Sequence, residues 1–582
     1  MTRIAIVKRE DCHPEKCGHV CAKYCPVNRM GQECIVIASS ARIDEALCTG
    51  CGICPKRCPF EAIKIINLPE ELDKEPIHRY GQNEFALYSL PTPIFGKVVG
   101  VIGKNGIGKS TAIKILAGIL KPNFGDWKSE GYDYQKLIDY FKGTEAQQFF
   151  EKVKSGKIKI SYKPQQVDLI PKTTEGRVID LLKKVDEKDM LNEIAEKLEL
   201  TKILDHSIKD ISGGELQRVA IAATVLKKAN LYIFDEPTSY LDIKQRLKTS
   251  KFIRELANEQ TAVMVIEHDL VILDYIADLV NIIYGKEECY GIVSQLKSTK
   301  EGINIFLSGY LREENIRFRD SQIKFDVSPT GRTASKEELT SWTGIQKKLG
   351  KFSLSAEQGV IHKKEVIGIV GENGIGKTTF VKILAGVIEK DKGSVETEVK
   401  VSYKPQYLVS SEQMVADILK DAAAKYSVQL IKPLELDRLL TKKLNQLSGG
   451  QLQRVAIAEC LSKDAHLYLM DEPSAYLDVE QRLLISKIIK DFMINKGSSC
   501  LIVDHDLLFI DYLSDKLMVF GGEPAVHGDA KGPFAMQEGM NMFLQDINIT
   551  FRRDPESHRP RANKPDSQMD RKQKSENKLY YV

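Results

Sequence analysis

The chain has 582 residues, 42% hydrophobic and 28% charged, a composition ordinary for a folded protein of about three or four domains. Its 84 Lys and Arg against 80 Asp and Glu leave a net charge of +4, so no bulk basic field exists and any nucleic-acid contact must come from local patches. No apolar run reaches the roughly 18 residues of a membrane span, and residues 1–10 lack the apolar core of a secretion signal, so a cytoplasmic protein without a membrane partner is expected.

Nine of the twelve cysteines fall between Cys12 and Cys58. Cys48, Cys51, Cys54 and Cys58, the last followed by Pro59, have the bacterial ferredoxin spacing; Cys12, Cys17, Cys21 and Cys25, followed by Pro26, form a stretched relative. Such runs wrap three thiolates round one cubane and send the fourth cysteine to the other. Cys12, Cys17, Cys21 and Cys58 are therefore expected at one [4Fe–4S] cluster, and Cys48, Cys51, Cys54 and Cys25 at a second, with Cys34 outside both. A pair of Cys₄ zinc sites is the alternative, but zinc does not need the Cys-Pro that ends each run. Residues 1–75 read as a ferredoxin-like iron–sulfur domain.

Tyr80 and Phe85 open the next domain, residues 76–305, as candidates to stack on a base. The apolar run 98–102 then leads into Gly103-Lys104-Asn105-Gly106-Ile107-Gly108-Lys109-Ser110-Thr111 and a helical pattern. Glycines between a buried strand and a helix start let backbone N–H groups cradle a phosphate, with Lys109 on the β/γ oxygens and Ser110 on Mg²⁺. Residues 126–154 are an insertion whose periodicity predicts two short helices split at Gly143-Thr144, an exposed docking hairpin. Gln165 follows a strand, where its amide can reach Mg²⁺ or the attacking water. Ser212 and Gly214 begin a helix whose hydroxyl and small backbone suit a γ-phosphate. The strand 231–234 ends in Asp235, placed for Mg²⁺, and Glu236, placed to deprotonate water. Asp242 completes a second acidic turn, and His268 ends another strand facing the γ-phosphate.

The whole set recurs. Gly371, Asn373, Gly374, Gly376, Lys377, Thr378 and Thr379 repeat the phosphate loop, with Lys377 lying 268 positions after Lys109. Gln406, Ser448, Gly450, Asp471, Glu472, Asp478 and His505 repeat the rest, and Asp471 lies 236 positions after Asp235. Gln406 and Thr378 are the second pair of Mg²⁺ candidates. The chain is thus a duplication of one nucleotide-binding module, the second spanning 336–530, with hinges at 306–335 and from 531 onward. The last stretch, 554–582, has little apolar content before Leu579 and reads as an extended, weakly ordered arm.

Phosphate loop, glutamine, Ser-Gly-Gly, Asp-Glu pair, Leu-Asp turn and histidine together resemble the ATP-binding cassette superfamily. A double-cluster ferredoxin domain fused to twin cassettes is similar to its E subfamily, the RNase L inhibitor family of ribosome-recycling ATPases. The resemblance extends to the segments 302–307 and 315–320 and their echoes at 539–544 and 548–554, whose arginines would touch ribosomal RNA or pair with cassette carboxylates. It implies an α/β fold of two tandem cassettes packed head to tail within one monomer. The Ser212 helix would complete the ATP site of Lys377, and the Ser448 helix that of Lys109. It further implies splitting of ribosomes with a termination or stalled-ribosome release factor, retention on the small subunit, and contact with initiation factors. Departures from the family pattern are Ile211, Gln166, Ala475 and Trp342, the last standing where an adenine-stacking tyrosine is usual. The alternative is an ATP-gated electron-transfer or cluster-assembly protein; a transport motor does not account for the ferredoxin domain, and a genome-maintenance ATPase would carry a longer insertion.

Overall fold

The computed structural model describes residues 3–67, 75–129, 131–132, 134–319, 322–323, 325, 337–396, 399–406 and 411–580. Most of the second half of the expected first hinge lies outside the described residues. In the cysteine-rich domain, β1 (Arg3–Val7) pairs antiparallel with β2 (Ile63–Asn67), clamping the two ends of the domain together. Between them Cys21, Cys25, Cys34 and Cys54 pack with Ala5, Val7, Ile35 and Ile43 in a small core of their own.

Each cassette is built on a parallel sheet whose three central strands are buried along their whole length, which is why their sequences are near-continuous apolar runs and not alternating ones. In the first, β3 (Val98–Ile102) precedes α1 (Lys109–Leu116), the insertion helices α2 (Tyr134–Tyr140) and α3 (Glu145–Lys154), and β4 (Ile160–Lys163). Then come α4 (Gly213–Val225), β5 (Leu231–Asp235), α5 (Ile243–Glu255), β6 (Ala262–Ile266), α6 (Leu270–Ile276) and β7 (Leu279–Lys286). The strand order is β7, β3, β6, β5, β4. The second cassette repeats it with β8 (Val366–Val370), α7 (Lys377–Leu384), β9 (Val401–Lys404), α8 (Gly449–Ser462), β10 (Leu467–Asp471), α9 (Val479–Lys496), β11 (Ser499–Val503) and β12 (Lys516–Glu523), in the order β12, β8, β11, β10, β9. Because all five strands run the same way, every loop that follows a strand end emerges at one edge of the sheet. Phosphate loop, acidic pair and histidine are thereby collected, although some 160 residues separate Lys109 from His268.

The insertion forms the expected helical hairpin. Its Leu137, Ile138, Phe149 and Phe150 are buried in the same core as Val99 and Ile233, so the hairpin is anchored to the first cassette.

Two expectations are corrected. The domain edges at 305/306 and 530/531 fall inside elements: a helix runs Thr299–Ser308 and a strand His527–Ala535. The carboxy-terminal arm is not weakly ordered. It forms β13 (Phe551–Arg553) paired with β14 (Pro560–Ala562), then α10 (Gln568–Ser575). Phe551, Ala562, Leu579 and Tyr580 enter the core shared with both cassettes, while Met569 stays exposed. Its charges find distant partners: Arg559 is fully buried, with Nη1 at 3.2 Å from Asp274 on α6, and Arg561 Nε donates to the same carboxylate at 2.6 Å.

Candidate active site

The phosphate loop of each cassette turns into its helix through a left-handed glycine, Gly108 (φ 95°) and Gly376 (φ 97°). A Cβ there would lie 2.5 Å from the Phe85 ring in one cassette and 2.9 Å from the Phe352 ring in the other, so the aromatic and the loop need a bare backbone between them. Lys109 Nζ donates to the carbonyls of Gly103 (2.9 Å) and Lys104 (2.7 Å), and Lys377 repeats this with Gly371 (2.8 Å) and Glu372 (2.6 Å). Burial lowers each lysine to about 8 while nearby carboxylates, Asp478 for Lys109 and Asp242 for Lys377, oppose the shift.

Asp235 and Asp471 end their strands beside the hydroxyls of Ser110 and Thr378; Thr378 Oγ1 donates to Asp471 Oδ2 at 2.7 Å. Hydroxyl plus carboxylate is a hard-oxygen set that suits Mg²⁺. Each following glutamate, Glu236 and Glu472, has a left-handed backbone at φ 47°. A non-glycine residue persists there only if its surroundings hold it. Lys163, fully buried, donates to the carbonyls of Asp235 (2.9 Å) and Glu236 (3.2 Å), and Gln217 Nε2 to that of Glu236 (2.7 Å). Lys404 and Gln453 do the same for Asp471 and Glu472. These four positioning residues were missed from sequence; their recurrence in both copies, just before each glutamine loop and inside each Ser-Gly-Gly helix, was the available signal.

The glutamate side chains then meet their expected partners. Gln165 Nε2 donates to Glu236 Oε1 at 2.6 Å, and His268 Nε2 lies 3.3 Å from the same oxygen. In the second cassette Gln406 reaches Glu472 at 2.7 Å and His505 lies at 3.6 Å. The two sites differ electrostatically. Burial would raise Glu236, but the His268 contact and Lys109 hold it down to about 2. Glu472 is pushed up to about 7 by burial, by Asp504 and by Asp471. His505 is driven well below its ordinary value by burial with Lys377 and Arg246 nearby.

The acidic turns reach across. Asp242 Oδ2 accepts the N–H of Asn373 at 2.9 Å, and Asp478 Oδ2 that of Asn105 at 3.4 Å, so each phosphate loop is touched by the opposite cassette. Ser212 and Ser448 cap α4 and α8 through reciprocal bonds with Glu215 and Gln451, while a Cβ on Gly214 or Gly450 would press on the carbonyl of Tyr240 or Tyr476. Tyr80 is half-exposed with its hydroxyl 3.0 Å from Thr111 Oγ1, a position open to a base. Trp342 does not fit its expected role. It is buried, packed on Phe380 with ring centroids 5.3 Å apart, because β-sheet pairing places it over Gly359 in the core. Phe352, the counterpart of Phe85, takes the loop-facing position.

In the first domain Cys12 and Cys21 lie among Cys17 and Cys58, and burial followed by these neighbouring sulfurs lifts the Cys21 thiol to about 11. Burial, Cys48 and Cys51 lift Cys54 to about 12. Cys12, Cys17, Cys21 and Cys58 are thus neighbours, as are Cys48, Cys51 and Cys54, although among the described residues no group of three such side chains is drawn close enough to hold a metal ion. The Ala41 N–H donates to Cys12 Sγ at 3.4 Å, a bond that favours thiolate. Cys34 is buried beside Cys25 and Cys48. The domain is tied to the first cassette by Arg79 with Glu45 (2.6 Å) and to the second by Lys442 with Asp11 (3.2 Å) and Arg438 with Glu61 (3.0 Å).

These features define a twin ATP-binding cassette protein with an amino-terminal iron–sulfur domain. A family profile described as ABC transporter matches residues 95–239 and 356–475, one described as a possible Fer4-like domain in RNase L inhibitor matches 2–33, and a 4Fe-4S binding domain matches 41–64. The chain is 51% identical to an uncharacterized ABC transporter ATP-binding protein of Methanocaldococcus jannaschii, over 100% of this chain and 98% of that one. It is 43% identical to the translation initiation factor RLI1 of Saccharomyces cerevisiae, over 100% and 98%. A solved structure described as ribosome-bound archaeal Pelota and ABCE1 superposes with a TM-score of 0.94 at 51% identity, covering 100% of this chain and 99% of that one. The chain belongs to the RNase L inhibitor family, the E subfamily of the ATP-binding cassette proteins. Among the described residues no helix is long and apolar enough to cross a membrane.

Proposed function

We propose that this protein hydrolyses ATP to ADP and phosphate at two interfacial sites and uses closure of its cassettes to split ribosomes into subunits. The observation that carries the reading is the reciprocal reach of Asp242 and Asp478 onto Asn373 and Asn105. It makes each site a joint property of both cassettes, so ATP binding draws them together.

At the Lys109 site, Lys109 and the loop N–H groups hold the β- and γ-phosphates, and the Ser448 helix closes over them from the opposite cassette. Glu236 takes a proton from water as the water oxygen attacks the γ-phosphorus and the bond to the β-γ bridging oxygen breaks. His268 orients Glu236 and contacts the γ-phosphate. Glu472, His505 and the Ser212 helix perform the same roles at the Lys377 site. Mg²⁺ bound by Ser110, Gln165 and Asp235, or by Thr378, Gln406 and Asp471, would neutralise charge on the phosphates.

The iron–sulfur domain bonds to both cassettes, so their relative motion is transmitted to it. Two [4Fe–4S] clusters on the eight cysteines named above would stiffen it as a lever. The cytoplasmic targets are the ribosome, with contacts to the small subunit and its RNA, a termination or stalled-ribosome release factor, and initiation factors. Gradient sedimentation of ribosomes with Mg-ATP, a release factor and this protein tests the reading. Splitting that needs ATP and factor, with Glu472→Gln trapped on the small subunit, is expected; intact ribosomes together with a cluster potential that follows nucleotide would replace it with the redox reading. Iron and sulfide analysis should find two cubanes per chain.

A further inference from the structure

The offset that carries Lys109 onto Lys377 carries Lys104 onto Glu372, and the offset that carries Asp242 onto Asp478 carries Lys244 onto Glu480. These four equivalent positions meet across the cassette interface with their charges exchanged. Lys104 Nζ lies 2.7 Å from Glu480 Oε2 at one site, and Lys244 Nζ donates to Glu372 Oε1 at 2.6 Å at the other. The duplicated modules thus use the same contact twice with opposite polarity.

The local sequence shows that Lys244 is placed for its partner and not for its helix. It stands in the first turn of α5, behind the N-cap Asp242, where the positive end of the helix dipole disfavours a cation. Glu480, at the matching place on α9, obeys the dipole rule. A residue that breaks a local rule marks a tertiary demand. The surroundings agree: Glu372, then Asp546 and Asp242, raise the Lys244 ammonium, while Glu480 also receives Arg319 at 3.3 Å and Lys104 has Glu287 at 4.0 Å.

We propose that this charge exchange is the selectivity element by which the first cassette closes on the second cassette of its own chain and not on a copy of itself. Pairing two first cassettes would set Lys104 against Lys244 at both sites. Pairing two second cassettes would set Glu372 against Glu480 at both. Only the unlike pairing gives two attractions. Side chains at these four positions are 24–34% exposed, so each attraction alone is modest, and the selection lies in the difference between two attractions and two repulsions. The inference rests on the cassette interface and not on what the protein does to ribosomes.

The test uses the full chain in a Glu472→Gln background, reading how long Mg-ATP stays occluded at the Lys377 site. Lys244→Gln removes the attraction and should shorten retention roughly threefold. Lys244→Glu reproduces the repulsion of a like pairing and should shorten it roughly tenfold. The double variant Lys244→Glu/Glu372→Lys should return retention to within about twofold of the parent. These differences should shrink at roughly 0.5 M salt, where the Debye length falls to about 4 Å. If Lys244→Glu is no worse than Lys244→Gln, or the double variant is no better than either single reversal, the selectivity role is overturned.

Discussion

One carboxylate serves both cassettes: Asp242 Oδ1 caps its own helix by accepting the Gln245 N–H at 2.9 Å, while Oδ2 accepts the Asn373 N–H across the interface at 2.9 Å. Asp242→Ala should therefore have two separable effects. Loss of the cap should lower stability by about 1 kcal/mol in thermal unfolding. Loss of the bridge should weaken ATP retention at the Lys377 site roughly tenfold, since that loop N–H has no other cross-cassette partner among the described contacts. The Lys109 site, bridged by Asp478, should keep its affinity.

Lys163 is fully buried and spends its protons on the carbonyls that flank the left-handed Glu236. Lys163→Met keeps the length but takes a donor from both carbonyls, leaving that of Glu236 to Gln217 alone, which should cost about 1–3 kcal/mol of stability. Relaxation of Glu236 should cut single-turnover hydrolysis at the Lys109 site roughly a hundredfold with little change in ATP affinity, as a positioning role requires. A merely structural lysine would leave the chemical step unchanged.

The two glutamates should answer pH differently. With Glu236→Gln only Glu472 catalyses, and its hydrolysis rate should fall as pH drops through about 7, where that carboxylate takes up a proton. With Glu472→Gln the acid limb should lie far lower, because Glu236 is held at about 2. Stability follows with the sign set by each shift. Raised Glu472 contributes stability present below the ordinary carboxylate range and lost as pH rises toward 7, so Glu472→Gln should stabilise the fold at pH 8, by about 2 kcal/mol. Lowered Glu236 contributes stability that persists at neutral pH and is lost only as pH falls toward 2.

Asp274 is the sole acidic partner of fully buried Arg559 among the described hydrogen bonds. Asp274→Ala would strip that guanidinium of its hydrogen-bonded carboxylate, leaving only the more distant Asp554, and should cost about 3 kcal/mol. Limited proteolysis and hydrogen exchange should show residues 551–580 released first, while the cysteine-rich domain stays protected.

Phe352→Ala should weaken ATP binding at the Lys377 site several-fold with normal stability, because the ring faces the phosphate loop. Trp342→Ala should instead destabilise the second cassette by about 3–5 kcal/mol, as removal of a buried indole does. Equilibrium nucleotide binding and thermal unfolding separate the two.

Much of this was legible in the chain itself. Buried parallel strands announce themselves as apolar runs, and the phosphate loop, acidic pair and histidine follow them at fixed places because the chemistry of phosphate transfer admits few substitutes. Duplication turned each weak motif into a strong one. Cysteine spacing likewise marked the first domain as one built for iron–sulfur chemistry, and the matching profiles agree.

What only tertiary structure decided were relations between segments remote in sequence. The arm from 554 looked too poor in apolar residues to order, yet Arg559 and Arg561 both pair with Asp274, 285 residues before Arg559. Trp342 and Phe352 are both aromatics ahead of the second phosphate loop, and strand register alone sent one into the core and the other to the site. The exchange of Lys104 and Lys244 for Glu372 and Glu480 is visible in the sequence as four charges; it becomes two ion pairs only when one cassette is laid against the other. Local pattern specifies an element through contacts a few residues long, whereas burial, pairing and polarity across an interface depend on which elements the whole chain brings together.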